Sequence, residues 1–142
     1  MTAPSLAEAA AELAKTFWGE LLQPNDPAYE EARRVHNGLV DKRPGLIARC
    51  RGVADIVDAV EFAKKLNLDV AVRGGGHNVA GRASVDGGLM IDLSPMKGIH
   101  VDPKTRTARA QGGVTWASST VRRSCTGWPP PEEWCRRQGL PA

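Results

Sequence analysis

The chain has no apolar run approaching the roughly 18–20 residues that cross a bilayer, which excludes a membrane-spanning helix. Its first residues, Met1-Thr2-Ala3-Pro4-Ser5-Leu6-Ala7-Glu8, lack the basic start and apolar core of a secretion signal, so the expected compartment is the cytoplasm. Cysteine is scarce. Cys50, Cys125 and Cys135 contain no C-x-x-C pair, and an odd number makes a poor disulfide framework, so no metal site is expected. Cys50 closes an apolar run and is expected to be a small buried thiol. No internal repeat and no low-complexity linker occurs before residue 118. Nor is there a one-sided charge field. Residues 1–117 hold 15 Lys+Arg against 14 Asp+Glu, and residues 118–142 hold four Arg against two Glu. Most of the net +3 therefore sits at the end of the chain, and a nucleic-acid partner is not expected.

What is present suits one domain: 142 residues, long enough to bury a core. Ser5-Leu6-Ala7-Glu8 has the form of a capping box, and the Ala-rich segment behind it is expected to be helical to about Phe17 or Trp18. Gln23-Pro24-Asn25-Asp26-Pro27 stops it. Tyr29 to Val35 reads as a short helix that ends near Asn37-Gly38. From Pro44 the pattern changes. Gly45 to Cys50 reads as a strand, and Ile56, Val57, Val60, Phe62, Ala63 and Leu66 recur at helical spacing up to Asn67. Leu68 to Arg73 is a second strand. This strand–helix–strand unit predicts a parallel pair. Leu89 to Leu93 is a third strand, and Ile99–Asp102 with Thr107–Gln111 is a hairpin. His100 falls at a hairpin surface position.

Three consecutive glycines, Gly74-Gly75-Gly76, follow the second strand and lead into His77-Asn78, with Gly81 and Gly87-Gly88 beyond. Glycine is costly unless a special conformation or a close approach is needed. One such need is a nest of backbone N–H donors around an anion, at the carboxyl end of a parallel strand where ligands of open α/β sheets bind. A plain tight turn accounts for the glycines equally well. The loop lacks G-x-G-x-x-G and the following helix of a dinucleotide fingerprint, and no Gly-Lys-Ser/Thr marks a P-loop. His77 would place an imidazole beside whatever the nest holds. Neutral imidazole is a competent nucleophile near pH 7, its unperturbed pKa being about 6.5. Asn78 could orient it or touch the ligand.

Val72 to Gly81, then Gly87 to Met96, together with Asp26-Pro27-Ala28-Tyr29, Asn37-Gly38, Arg43-Pro44, Ala54 to Val57 and Gly112-Gly113-Val114-Thr115-Trp116, resembles one family. It is the FAD-binding domain, p-cresol-methylhydroxylase (PCMH) type, of the vanillyl-alcohol-oxidase superfamily, in its berberine-bridge-enzyme-like branch. The likeness runs from about Phe17 to Ala117 through several motifs in order. It implies an α+β fold, a small parallel or mixed sheet of three to five strands flanked by helices, forming the first half of such a domain. The expected organisation is a helical segment over 1–37, a partial FAD-binding domain over 38–117, and a separate tail over 118–142. The resemblance further implies FAD as cofactor and partner. Arg73, Gly74, Gly75, Gly76, His77, Asn78 and Gly81 would be cofactor-binding, and His77 would carry the flavin through its 8α-methyl carbon. An alcohol or amine would be the substrate of the whole enzyme. His36 departs from the family, which more often has an aromatic residue before the Asn-Gly.

Residues 118–142 have no period and contain the helix-breaking Pro129-Pro130-Pro131. The family would continue with a helix of the type E-L-D-x-A-T, then H-G-L-A-T and a glycine-rich flavin segment. If one base is lost at Ala117, codons permissible for Ser118 to Ala142 spell ELDRATQLHGLATAGGVVSTTGLAG in the shifted frame, which supplies all three. The tail is expected to be out-of-frame sequence in a non-native coil. Three readings stay open: an FAD-linked oxidase by descent, an inactive flavin-binding fragment, and a phosphate-binding module unrelated to flavin. The family's substrate domain and catalytic base lie beyond residue 117.

Overall fold

A computed structural model of the chain describes residues 5–102 and 104–115, so the expected coil over 118–142 lies outside the described residues. The elements are α1 (Leu6–Leu13), β1 (Glu20–Leu22), α2 (Tyr29–Ala32), β2 (Leu46–Arg49), α3 (Val53–Leu66), β3 (Val70–Arg73), β4 (Leu89–Asp92), β5 (Ile99–Asp102) and β6 (Thr107–Ala110). The first four-stranded sheet has the order β1-β2-β4-β3, with β1 antiparallel to β2 and the other pairs parallel. β5 and β6 form the expected antiparallel hairpin, with His100 exposed.

Register divides the sheet into two faces. Leu46, Ala48, Leu89 and Ile91 turn to one side, where Ala10 of α1 and Ala59, Phe62 and Ala63 of α3 complete a buried cluster with Phe17 and Cys50. Ile47 and Met90 turn to the other, against Leu22, Tyr29 and Ala32. Helices therefore cover both sides of the central strands, as a parallel pair requires. The Tyr29 hydroxyl donates to the Pro44 carbonyl at 2.7 Å and ties α2 to the start of β2. Cys50 is fully buried, and that burial, helped by Asp55 and Asp92, pushes its thiol up to about 12.

Several elements differ from the sequence reading. The Ser5–Glu8 capping box is present, yet α1 ends at Leu13 rather than near Phe17, because Phe17 is drawn into the core through a separate turn. The 1–37 segment is not wholly helical. It carries β1, which borrows its pairing from β2. α2 stops at Ala32, and the chain to Asn37 runs on as an irregular strap. β2 and β3 are parallel but not adjacent, since β4 lies between them. On α3 the buried face runs through Asp55, Ala59, Phe62 and Ala63, while Val57 and Val60 are about half exposed on its flank.

The first turn of α3 is tied down by Asp55, whose buried carboxylate accepts the N–H groups of Trp18 (2.9 Å), Arg51 (2.7 Å) and Gly52 (3.1 Å). It satisfies orphan donors of the helix start and pins the 18–19 segment beside it. Burial by itself pushes this carboxyl up, but the N–H groups of Arg51, Trp18, Gly52 and Gly19 outweigh it and hold the carboxyl below its ordinary range. A depressed carboxylate contributes stability that is fully present above the unfolded value, about 3.9, and is lost as pH falls through the lower folded value. Asp55→Asn should cost about 1–2 kcal/mol at pH 7. It should also flatten the fall of stability with acid. Urea unfolding at pH 7 and pH 3 measures both, and equal acid sensitivity in the two proteins would count against the role.

Candidate functional site

The loop from Arg73 to Ser84 leaves β3 at its carboxyl end, next to the end of β4, and Leu93 N–H donates to Arg73 O at 2.8 Å. Its carbonyls are taken by the 32–42 strap. His36 N–H donates to Gly76 O at 3.0 Å, Asn37 Nδ2 to Val79 O at 3.0 Å, and Lys42 Nζ to Gly81 O and Ser84 O, each at 3.2 Å. Asn78 serves the loop itself, its carbonyl accepting Gly81 N–H and its Oδ1 accepting Arg82 N–H at 2.9 Å. Among the described residues, no acceptor takes the N–H groups of residues 74 to 80. The strap thus takes the carbonyls of Gly76, Val79, Gly81 and Ser84, while among the described residues the N–H groups of 74 to 80 are left without an acceptor.

Two glycines show why side chains are excluded. Gly76 sits at φ +75°, a left-handed conformation that side chains resist, and is buried under the strap. A Cβ on Gly74 would lie 2.4 Å from the carbonyl oxygen of Gly112, so the loop and the 112–115 turn touch backbone to backbone. Gly75, His77 and Asn78 are exposed, and Gly81 is buried against Val40.

Arg73 turns away from the loop. Its Nη1 donates to the carbonyls of Ala32 and of Arg34 (3.0 Å), and its Nε lies 3.5 Å from Asp92 Oδ1. The guanidinium thus anchors the strap's root through Nη1 while its Nε faces Asp92. Asp92 is fully buried, lies 3.4 Å from Arg49 Nε, and accepts the N–H and hydroxyl of Ser94, each at 3.0 Å. Glu20, Arg49, Asp92 and Arg73 are lateral neighbours in the sheet, one rung of alternating charge at the strand ends beside the loop.

The His77 ring lies beside Gly75, with its Cδ2 3.2 Å from where a Cβ on that glycine would be. The His36 ring packs next to it, centroids 4.5 Å apart and planes inclined by 32°. The sequence reading singled out the loop but missed the strap residues Asn37 and Lys42, along with Asp92. Asn37 had looked like a helix terminus. A groove of about 510 Å³ between α1 and α3 shares no residue with this loop. Among the described residues there is no cluster of three or more His, Cys, Asp or Glu that could hold a metal, and no helix long and apolar enough to cross a membrane.

Free donors, glycines that admit close approach and an exposed imidazole fit the phosphates and ring of a flavin nucleotide. Residues 44–121 match the family model described as FAD binding domain. The chain is 40% identical over 96 residues to (R)-6-hydroxynicotine oxidase of Paenarthrobacter nicotinovorans, covering 68% of this chain and 21% of that protein. The crystal structure of 6-hydroxy-D-nicotine oxidase from Arthrobacter nicotinovorans superposes with a TM-score of 0.76 at 35% identity, over 79% of this chain and 25% of that one. The berberine-bridge-enzyme-like 1 protein of Physcomitrella patens superposes with a TM-score of 0.65 at 26% identity, over 70% of this chain and 22% of that one. The chain thus spans about a fifth to a quarter of the length of these relatives. It belongs to the FAD-binding family of PCMH-type FAD-linked oxidoreductases, and its cofactor is FAD.

Proposed function

We propose that residues 74–80 grip the FAD pyrophosphate and that His77 holds the flavin covalently. The observation that carries this reading is the sorting of the loop: the bonds from His36, Asn37 and Lys42 of the strap all go to loop carbonyls, and among the described residues no acceptor takes the N–H groups of residues 74 to 80, which leaves them for an anion. Such donors, fixed before the ligand arrives, cost little to organise on binding. FAD when bound supplies the redox chemistry, taking a hydride from an alcohol or amine carbon as the hydroxyl or amine proton leaves, and passing both electrons to dioxygen. With FAD bound, a ring nitrogen of His77 would form the C–N bond to the 8α carbon, the methyl giving up one proton to solvent and the electron pair of its broken C–H bond to the flavin, which dioxygen would reoxidise. Gly75, lacking a side chain, leaves room for the imidazole to stand over the loop.

The shifted-frame string that permissible codons for residues 118–142 can spell favours a second reading: the chain as it stands is an inactive flavin-binding fragment whose reading frame is broken at Ala117. Sequencing the coding DNA there decides it. The protein translated in the restored frame should purify yellow, with flavin that survives acid precipitation. His77→Ala should release its FAD completely under the same treatment. Flavin still attached in that variant would remove His77 from the anchoring role.

A further inference from the structure

The strap does more than occupy carbonyls, for it also brings a second imidazole to His77. His36 is held by its own N–H on Gly76 O at 3.0 Å, and the next residue, Asn37, is held through its side chain on Val79 O. The His36 ring is therefore delivered by main-chain contacts on the loop that carries His77. Its centroid lies 4.5 Å from that of His77 at a 32° inclination, a tilted stack rather than an in-plane hydrogen bond. On another side, the His77 Cδ2 lies 3.2 Å from where a Cβ on Gly75 would be, a place only glycine leaves open. An exposed histidine on an irregular loop ordinarily samples several staggered χ1 wells. Here the His36 ring restricts it on one face.

We propose that His36 is a positioning residue for His77, its ring holding the imidazole in one orientation so that a nitrogen meets the flavin's 8α carbon. This rests on the reading of His77 as the attachment residue. A ring held in the reactive orientation gains rate by proximity, and misplacement by about 1 Å costs up to roughly a hundredfold. The contact is steric and aromatic, so a flat ring without ionisable nitrogen should replace it, and a methyl should not.

Two measurements test this, and they fail separately. In the full 142-residue chain, proton NMR should show the His77 ring signals displaced by the neighbouring ring current. His36→Ala should return them to free-imidazole positions and His36→Phe should keep them displaced. Both variants keep the backbone N–H that bonds Gly76, and the His36 side chain is exposed, so folding is expected to survive. In the restored-frame protein, covalent flavin incorporation, followed as acid-stable absorbance against time, should be about tenfold slower or worse in His36→Ala and near the parent rate in His36→Phe. Undisplaced His77 signals in the parent, or equal attachment rates in parent and His36→Ala, would overturn the proposal. Absence of covalent flavin in the parent would instead count against His77 as anchor, and the NMR result alone would then decide whether His36 seats its ring.

Discussion

Replacing Asp92 by alanine is expected to cost about 3 kcal/mol of folding stability, a large part of the roughly 5–15 kcal/mol that holds a domain together. The carboxylate is completely buried at the end of β4, between the guanidinium groups of Arg49 and Arg73, whose side chains are 35% and 16% exposed. Without it, Arg73 keeps only its carbonyl acceptors in a nearly closed site, and the Ser94 N–H and hydroxyl lose their partner. Arg49 suffers less, since Glu20 Oε2 remains 2.8 Å from its Nη1. Asp92→Asn keeps an acceptor but removes the charge and should fall between the two proteins. Urea denaturation followed by circular dichroism measures the series. A loss below about 1 kcal/mol for the alanine variant would mean that the arginines simply relax into solvent.

Gly74→Ala should cost about as much, and Gly75→Ala, one residue on, should cost less than about 1 kcal/mol. The new methyl at position 74 would sit 2.4 Å from the Gly112 carbonyl oxygen, and backbone on both sides cannot step aside cheaply. The 112–115 turn is itself fixed, because Gly113 N–H donates to Met96 O at 3.0 Å. A methyl at position 75 meets only the His77 ring at 3.2 Å, and a side chain can rotate. In the restored-frame protein the two variants should divide again: loss of bound FAD on gel filtration for Gly74→Ala, and retention with slower covalent attachment for Gly75→Ala. Equal melting temperatures for the two would show that loop and turn are not in rigid contact.

Much of this could be read from the sequence, and the failures have physical causes. Ser5 and Glu8, the strand–helix–strand unit, the third strand and the hairpin were legible because each carries its signal within a few adjacent residues. The glycine loop was legible because its cost demands a reason. β1 was not, since three residues cannot display a period and their pairing comes from β2, some 27 residues away. Lateral strand order was not legible either, because alternation reports which face a residue joins and says nothing about its neighbour. Val57 and Val60 looked like core on spacing alone, but the helix turns Ala59 and Phe62 inward. At the site, sequence gave no sign that the Arg73 guanidinium would be held by Asp92 and the strap. No local pattern announces that a charge will be buried by a strand still to come.

The strand order has a consequence for how the protein is made. β2 and β3 are synthesised first and lie roughly 10 Å apart, two strand spacings, with nothing between them until residues 89–92 exist. At about 5–20 residues per second, β4 leaves the ribosome about one to three seconds after β3. During that interval α3 has only the β1–β2 pair to rest on, and both rows of main-chain groups facing the gap stay open to any extended peptide nearby. The nascent chain is most exposed to mispairing just before its last central strand arrives to fill the slot.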